Sequence, residues 1–537
     1  MATERRGFFA LLVFALCLGA GCANSGGAND SSGAAPASPG NSGSSAAGSG
    51  FTNEGPSSDA GAPLPPEKEL DQSFRAPVAT GRVLWSANPD SGRVALIDAK
   101  TLAVRMTNAG FGPTYLSAVP SPTGTDSAIV LNVGSHDATW FVASPQQIAS
   151  QTIETHVGAN AWAVSANGRY AIAWTDVTHL ATGAADTVNG YSELTVIDLA
   201  ASPAHGTRLS VGFRPSQVVF DAAAEHAFAV VDEGISVVDL GDRPALSQLL
   251  TISAENGAAH ARDVNIAPDG SFAVVRVESK AEVEIIDLLS NARQLVGLES
   301  SVTDLDLSPD GKTATAVLGD STPPKVVSFA VPNPGTDAAA FQTQEINGEL
   351  VRSVTLAPNG ALALLYANAV PSSHLTLLDA AHGQFRTVDL QGAVESVYVA
   401  PDSKAAITFQ TPPAGSKKRG LFSIVPTDSV RSPRIVGTDA APAEIAFSEP
   451  ALGKALITVH DSSSTVHGVY VVGLANLEQN FVSLSSEPLP GATGIVSLAR
   501  RGFVAQKHPE GRITFIDLDT GAAQTLSGFE IAARIVQ

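Results

Sequence analysis

From about residue 80 the chain reads as a succession of short apolar runs, alternating or β-branched, bounded by Gly, Pro, Asn and Asp. The run Leu194-Thr195-Val196-Ile197-Asp198 is typical, and such runs favour strands, because alternation places every second side chain on one face of a sheet. Spacing of the i, i+3, i+4 kind is seldom seen, and turn residues interrupt every stretch long enough for a helix. The runs recur in one order: an apolar run, a tight turn, a second run, a polar loop, and a third run ending in Ile-Asp or a close variant. The turns read Ala166-Asn167-Gly168, Pro268-Asp269-Gly270, Pro309-Asp310-Gly311, Pro358-Asn359-Gly360 and Pro401-Asp402-Ser403. Pro presets φ at the first turn position and Gly accepts the positive φ that closes a bulged hairpin. Third runs stand at 94–98, 194–198, 235–239, 283–287, 375–379 and 513–517.

A glycine ahead of each unit gives the period. Gly112, Gly158, Gly212, Gly257, Gly297, Gly348, Gly392, Gly437, Gly491 and Gly528 follow one another at a mean spacing of about 46 residues. That lies within the ~40–50 residues of a four-stranded propeller blade. The units, over about residues 80–537, resemble the YVTN and WD40-like bacterial propeller repeats, with Ser308-Pro309-Asp310-Gly311 and Asp517-Leu518-Asp519-Thr520-Gly521 among the better matches. The expected fold is all-β, a β-propeller of four-stranded blades with up to ten blade-like units. One large ring is favoured, because no linker interrupts residues 80–537; two smaller rings, or seven to eight blades with decoration, also fit the spacing. The repeat region opens at Val83-Leu84-Trp85 as a second strand and ends at 531–536 as a first strand. The two ends are therefore expected to share one blade, the C-terminal strand closing the ring in the N-terminal blade.

Ahead of the repeats, Arg5 and Arg6 precede an apolar run from Phe8 to Leu18, then Gly19-Ala20-Gly21-Cys22. The run is shorter than the ~20 residues that span a bilayer, and its flanks are those of an export signal. Residues 1–21 resemble a bacterial lipoprotein signal, although Gly19 stands where that family usually has Leu. The resemblance implies that Cys22 is lipidated and becomes the amino terminus, and Ala23 after it favours the outer membrane, with the protein periplasmic or surface-exposed. The other cysteine, Cys17, would leave with the signal, so no intrachain disulfide is expected. Residues 22–75 are rich in Gly, Ser and Ala, which cannot bury enough apolar area to offset their ordering entropy. They are expected to form a disordered tether with an end-to-end distance of roughly 40 Å, with the propeller domain occupying 76–537.

Composition narrows the chemistry. Lys plus Arg number 32 against 52 Asp plus Glu, a net charge of −20, which opposes binding to nucleic acid. The loops between second and third strands carry a polar, largely acidic set: Asn88, Asp90, His136, Asp137, Asp176, His179, Asp232, Glu233, Glu278, Asp320, Asn368, His460, Asp461 and His508. These form the candidate binding rim. Their oxygens and imidazoles are ligand types for Ca²⁺ or a transition metal, but no unit gathers enough of them, and neither a metal site nor a cofactor is expected. The Gly-x-Ser-x-Gly elbow, the phosphate loop, the His-Glu-x-x-His motif and the EF-hand string are absent from the sequence. Lys417-Lys418-Arg419 is a short basic run expected at a loop tip, and Trp85, Trp140, Trp162 and Trp174 are expected to fill core between blades.

These features favour a membrane-anchored, non-catalytic propeller that binds an envelope protein, peptide or glycan. The alternative is a propeller enzyme of the lactonase or quinone-dependent dehydrogenase class. The anchor has a direct test: Cys22→Ser should move the protein from the membrane to the soluble fraction on centrifugation, and unchanged membrane association would rule out attachment through Cys22.

Overall fold

The computed structural model describes residues 74–177, 191–252, 262–335, 337–380, 382–428, 431–461, 465–530 and 534–535. They form ten antiparallel sheets of four consecutive strands, giving a ten-bladed β-propeller. The blades span 78–108, 113–154, 161–210, 217–251, 262–297, 304–345, 353–389, 393–438, 442–483 and 488–527. First strands of successive blades touch one another, so they line the axis and fourth strands lie outermost.

The burial gradient across a blade explains the sequence pattern. In blade 2 the second strand, Ser127–Asn132, is buried along its whole length because both of its faces meet a neighbouring blade. The fourth strand, Ile148–Glu154, is buried only at Ile148 and Ile153, because it lies at the outer edge of the blade where the rest reaches solvent. The apolar core is divided into ten clusters, one at each junction between blades. Between blades 1 and 2, Trp85 and Phe141 stack with ring centroids 5.8 Å apart. Between blades 10 and 1, Phe515 and Phe503 pack with Leu84 and Ile97, and Phe74 meets Phe529 edge-on at 5.2 Å. The ring's packing thus reaches back to Phe74, just ahead of the expected domain start at 76.

The Pro-Asp-Gly type turns do more than reverse the chain. Gly168 and Gly311 have φ of 68° and 67°, the left-handed region that favours glycine. Each also sits against the corresponding turn of the preceding blade. A Cβ on Gly168 would lie 1.8 Å from the carbonyl oxygen of Pro120, and one on Gly311 would lie 2.9 Å from Cδ of Pro268. The motif recurs because turn packs on turn around one face of the ring.

Closure differs in detail from the expectation. Val78–Thr80 forms a short first strand ahead of Val83–Asn88, pairing Val78 with Trp85 and Thr80 with Val83. The inner position of blade 1 is therefore already filled. The C-terminal strand, Arg534–Ile535, does join the N-terminal blade, but as a fifth, outer strand running parallel to Val104–Asn108. Three residues ending in a turn at Gly81 carry no alternation, which is why the pattern did not reveal the first strand. A test of the closing junction follows. Phe529→Ala removes a buried ring there and should cost about 3–5 kcal/mol in urea unfolding, whereas Leu498→Ala, at an exposed site, should change stability by less than about 0.5 kcal/mol.

Candidate functional site: the loop face

On one face of the ring, at blades 2 and 4, the connection into the blade meets the hairpin between that blade's second and third strands. At blade 2, the Phe111 carbonyl accepts the Gly134 N–H at 2.9 Å, the Phe111 N–H donates to Ser135 Oγ at 3.1 Å, and the Gly112 carbonyl accepts the Val133 N–H at 3.0 Å. At blade 4, the Phe213 carbonyl accepts the Asp232 N–H at 2.8 Å and the Glu233 carboxylate accepts the Phe213 N–H at 2.7 Å. Beneath the loops, buried polar side chains of the blades take further loop amides. The His156 N–H donates to Thr195 Oγ1 and the Gly212 N–H to Ser236 Oγ, both at 3.0 Å, and the Ser485 and Ser486 N–H groups donate to Gln506 Oε1 at 3.1 Å. The loops are thus pinned from the side and from below.

What these pinned loops display is apolar. Phe111 is 73% exposed, Val157 47%, and Val133 and Phe213 42% each. They sit at the junctions of blades 1 and 2, 2 and 3, and 3 and 4, with Val133 on the blade 2 hairpin. The Phe213 ring is flanked by Tyr191, edge-on at 5.9 Å, and by the Arg214 guanidinium at 5.5 Å. Holding these side chains in water on hydrogen-bonded loops forgoes burial free energy, and Phe111 and Val133 lie side by side beneath the blade 2 hairpin. Sequence reasoning missed them because it searched loops for polar chemistry. The signal was present in Gly110-Phe111-Gly112-Pro113 and Gly212-Phe213-Arg214-Pro215, where an aromatic adjoins a repeat glycine outside any alternating run.

The polar rim residues lie on the second-to-third strand connections, as the spacing implied; His179 falls outside the described residues. The structure ties most of them to neighbouring loops. Asn88 Nδ2 donates to Glu530 at 2.5 Å, and the Asn88 side-chain carbonyl accepts the Asp90 N–H at 3.1 Å. Asp137 accepts from Asn132 at 2.6 Å, and the Asp176 N–H donates to Asn160 Oδ1, also at 2.6 Å. Asp232 faces Arg214 at 3.5 Å, Asp320 holds Ser301 at 2.6 Å and Arg352 at 2.7 Å, and Asp461 pairs with Arg419 at 2.7 Å. Asn368 reaches the Glu395 carbonyl at 3.4 Å, and His508 Nδ1 accepts the Glu510 N–H at 3.2 Å. His460 stands 3.8 Å from Glu487, which Lys507 holds at 2.7 Å. His136, at a φ of 56°, shapes its hairpin, and Glu278 is exposed. Around the ring the set acts as a string of loop ties and does not converge on one point. Among the described residues no group of three or more His, Cys, Asp and Glu side chains could hold a metal ion.

The basic run divides its contacts, Lys418 bonding Asp439 at 2.6 Å while Arg419 holds Asp461. The tryptophans pack within or between blades as expected. Trp85 and Trp174 are buried, while Trp140 and Trp162 are half-buried and donate to Ser127 Oγ at 2.9 Å and the Tyr115 carbonyl at 3.0 Å.

Electrostatics concentrate on the axis side. Asp304 and Asp306, on the first strand of blade 6, accept the Val354 and Leu356 N–H groups of blade 7 at 2.8 and 3.0 Å. These side chains satisfy donors that the edge of the blade 7 sheet would otherwise leave open. Burial pushes the Asp306 carboxyl up to about 7, with Asp304 and Asp263 adding repulsion. His156, buried between Thr195 and Thr175, is pushed down to about 4 by burial and by Arg208, so at neutral pH it is an uncharged part of the packing.

No family model and no curated protein matches the chain. Solved structures similar to it include a eukaryotic initiation factor, at 14% identity and a TM-score of 0.49 over 77% of this chain and 96% of that one. The Myceliophteria thermophila Cps50 (Swd1) β-propeller domain is similar at 12% identity and a TM-score of 0.32, over 58% of this chain and 96% of that one. The dihydro-heme d1 dehydrogenase NirN in complex with DHE is similar at 12% identity and a TM-score of 0.38, over 79% of this chain and 75% of that one. The propeller assignment rests on the strand pairing itself, and these likenesses carry no function across.

The axis carboxyls generate a pH prediction. A carboxyl raised in the folded state contributes stability that is complete below its unfolded value, near 4, and is lost as pH rises through about 7. Asp306→Asn keeps a carbonyl acceptor for the Leu356 N–H and removes the ionisation. Its melting temperature should match wild type near pH 4 and exceed it by about 2 °C or more at pH 8.5. A constant difference at both pH values would exclude this titration as the cause.

Proposed function

We propose that this chain is a non-catalytic docking module that holds a partner protein on its loop face and is attached to a cell-envelope membrane through lipid on Cys22. The observation that carries the docking reading is the exposed apolar arc of Phe111, Val133, Val157 and Phe213 over three consecutive blade junctions. Aromatic anchors on a rigid frame, ringed by polar groups, are the makings of a protein interface, because little ordering entropy remains to be lost on binding. The surrounding carboxylates, among them Asp90, Asp137 and Glu233, favour a partner surface that is apolar at its centre and basic at its margin. The anchor and an exported location rest on the sequence around Cys22, and the tether would let the ring reach a partner some distance from the membrane.

The test uses the mature chain as bait against a detergent extract of the envelope of the source cell, with bound proteins crosslinked and identified. One protein should be captured at fixed stoichiometry by wild type, and Phe111→Ser with Phe213→Ser should reduce that capture by about tenfold, or roughly 1.4 kcal/mol. Because both side chains are exposed, the melting temperature of the double variant should stay within about 2 °C of wild type. Capture unaffected by the double substitution would refute the loop face as the docking surface.

A further inference from the structure

An asparagine followed by glycine is primed for reaction with its own backbone, and the surrounding fold decides whether the reaction runs. The glycine amide nitrogen attacks the asparagine side-chain carbonyl carbon, an approach that glycine leaves open because it has no Cβ. A C–N bond forms, the bond from that carbon to Nδ2 breaks, and ammonia leaves with the proton from the glycine nitrogen, giving a cyclic imide. Water then opens the imide at one carbonyl or the other, to aspartate or to isoaspartate, so solvent is the sole co-reactant. The attack needs a side-chain carbonyl and a glycine N–H that are both free to come together. The sequence holds such pairs at 167–168, 189–190, 256–257, 347–348 and 359–360, and the pairs at 189 and 256 lie outside the described residues.

Asn167, Asn347 and Asn359 are all exposed, so exposure does not separate them, but hydrogen bonding does. Asn167 Oδ1 accepts the Arg169 N–H at 3.0 Å and the Ser165 hydroxyl at 2.8 Å, while the Gly168 N–H donates to the Ser165 carbonyl at 2.8 Å. Asn359 Oδ1 likewise accepts the Ala361 N–H at 3.0 Å, and the Gly360 N–H donates to the Ala357 carbonyl at 2.8 Å. In both hairpin turns the electrophile and the nucleophile are held in separate bonds. At the third pair, neither the Asn347 side chain nor the Gly348 N–H has a partner among the described residues, and a Cβ on Gly348 would meet nothing within 4 Å. The chain is fixed on either side: the Ile346 N–H donates to the Pro324 carbonyl at 2.8 Å, and Glu349 lies 2.6 Å from His374 Nδ1. Between those fixed points the turn itself is open. We infer that Asn347 is a site of spontaneous modification, converted to aspartate or isoaspartate by attack of the Gly348 nitrogen, while Asn167 and Asn359 stay intact. The product adds a carboxylate close to Glu349, on the connection from blade 6 to blade 7. This inference does not depend on the docking reading.

Peptide mapping by mass spectrometry tests it, on the purified chain incubated at mildly alkaline pH, with aspartate and isoaspartate products resolved at each asparagine. In the folded chain, conversion at Asn347 should outrun that at Asn167 and at Asn359 by about tenfold or more, since each of those sites must first give up a hydrogen bond. In urea, where the turns are lost, the three rates should converge. Conversion at Asn167 or Asn359 as fast as at Asn347 in the folded chain, an Asn347 that stays intact while the unfolded chain converts, or an advantage for Asn347 that persists in urea would each overturn the assignment.

Discussion

A twisted four-stranded sheet that is apolar on both faces cannot exist alone in water, and every feature of this protein follows from that constraint. Each blade exposes two faces that only another blade can cover, so the structure has no stable stopping point short of a closed ring. Ten apolar clusters, one per junction, show the principle carried around the whole circle. The last junction is the costly one, because it joins parts of the chain separated by more than four hundred residues. It is also heavily reinforced, with Phe74, Phe503, Phe515 and Phe529 in one cluster and a parallel fifth strand added to blade 1.

Closure leaves a second problem, the open backbone edges near the axis and the loops at the ring's two ends. Polar side chains meet it. Asp304 and Asp306 reach across a junction to the backbone of the next blade, and Thr303 does the same through the Arg352 carbonyl at 2.7 Å. On the loop face, Thr195, Ser236 and Gln506 hold loop amides from within the blades. Many of the carboxylates, hydroxyls and amides that resemble site chemistry in the sequence are occupied in this way. What stays uncovered on the loop face is the apolar arc of Phe111, Val133, Val157 and Phe213.

The strands and the hairpin turns were legible in the sequence, because alternation and turn chemistry are local. Burial of both faces explains why second strands such as 127–132 read as unbroken apolar runs and fourth strands do not. The position of the rim residues on one set of loops was legible for the same reason: strand order within a blade fixes which end a loop occupies. Their employment was not, since whether Asp320 is free or holds Arg352 depends on a residue 32 positions away across a blade junction. Phe111 and Phe213 were passed over because an isolated aromatic beside glycine carries no periodic signal, and only the folded ring shows how much of each stays exposed.

By itself, then, the sequence determined the repeating unit, its four-stranded character and its turns, all of which are properties of stretches shorter than about 46 residues, and it favoured one ring without excluding two smaller ones. The tertiary structure decided the rest. Blade number depends on the small wedge angle between neighbouring sheets, set by side-chain volumes summed across ten junctions, and no single repeat encodes that angle. The place of the final strand was decided in the same way, because Val78–Thr80 already filled the inner edge of blade 1 and left only the outer edge open to hydrogen bonding.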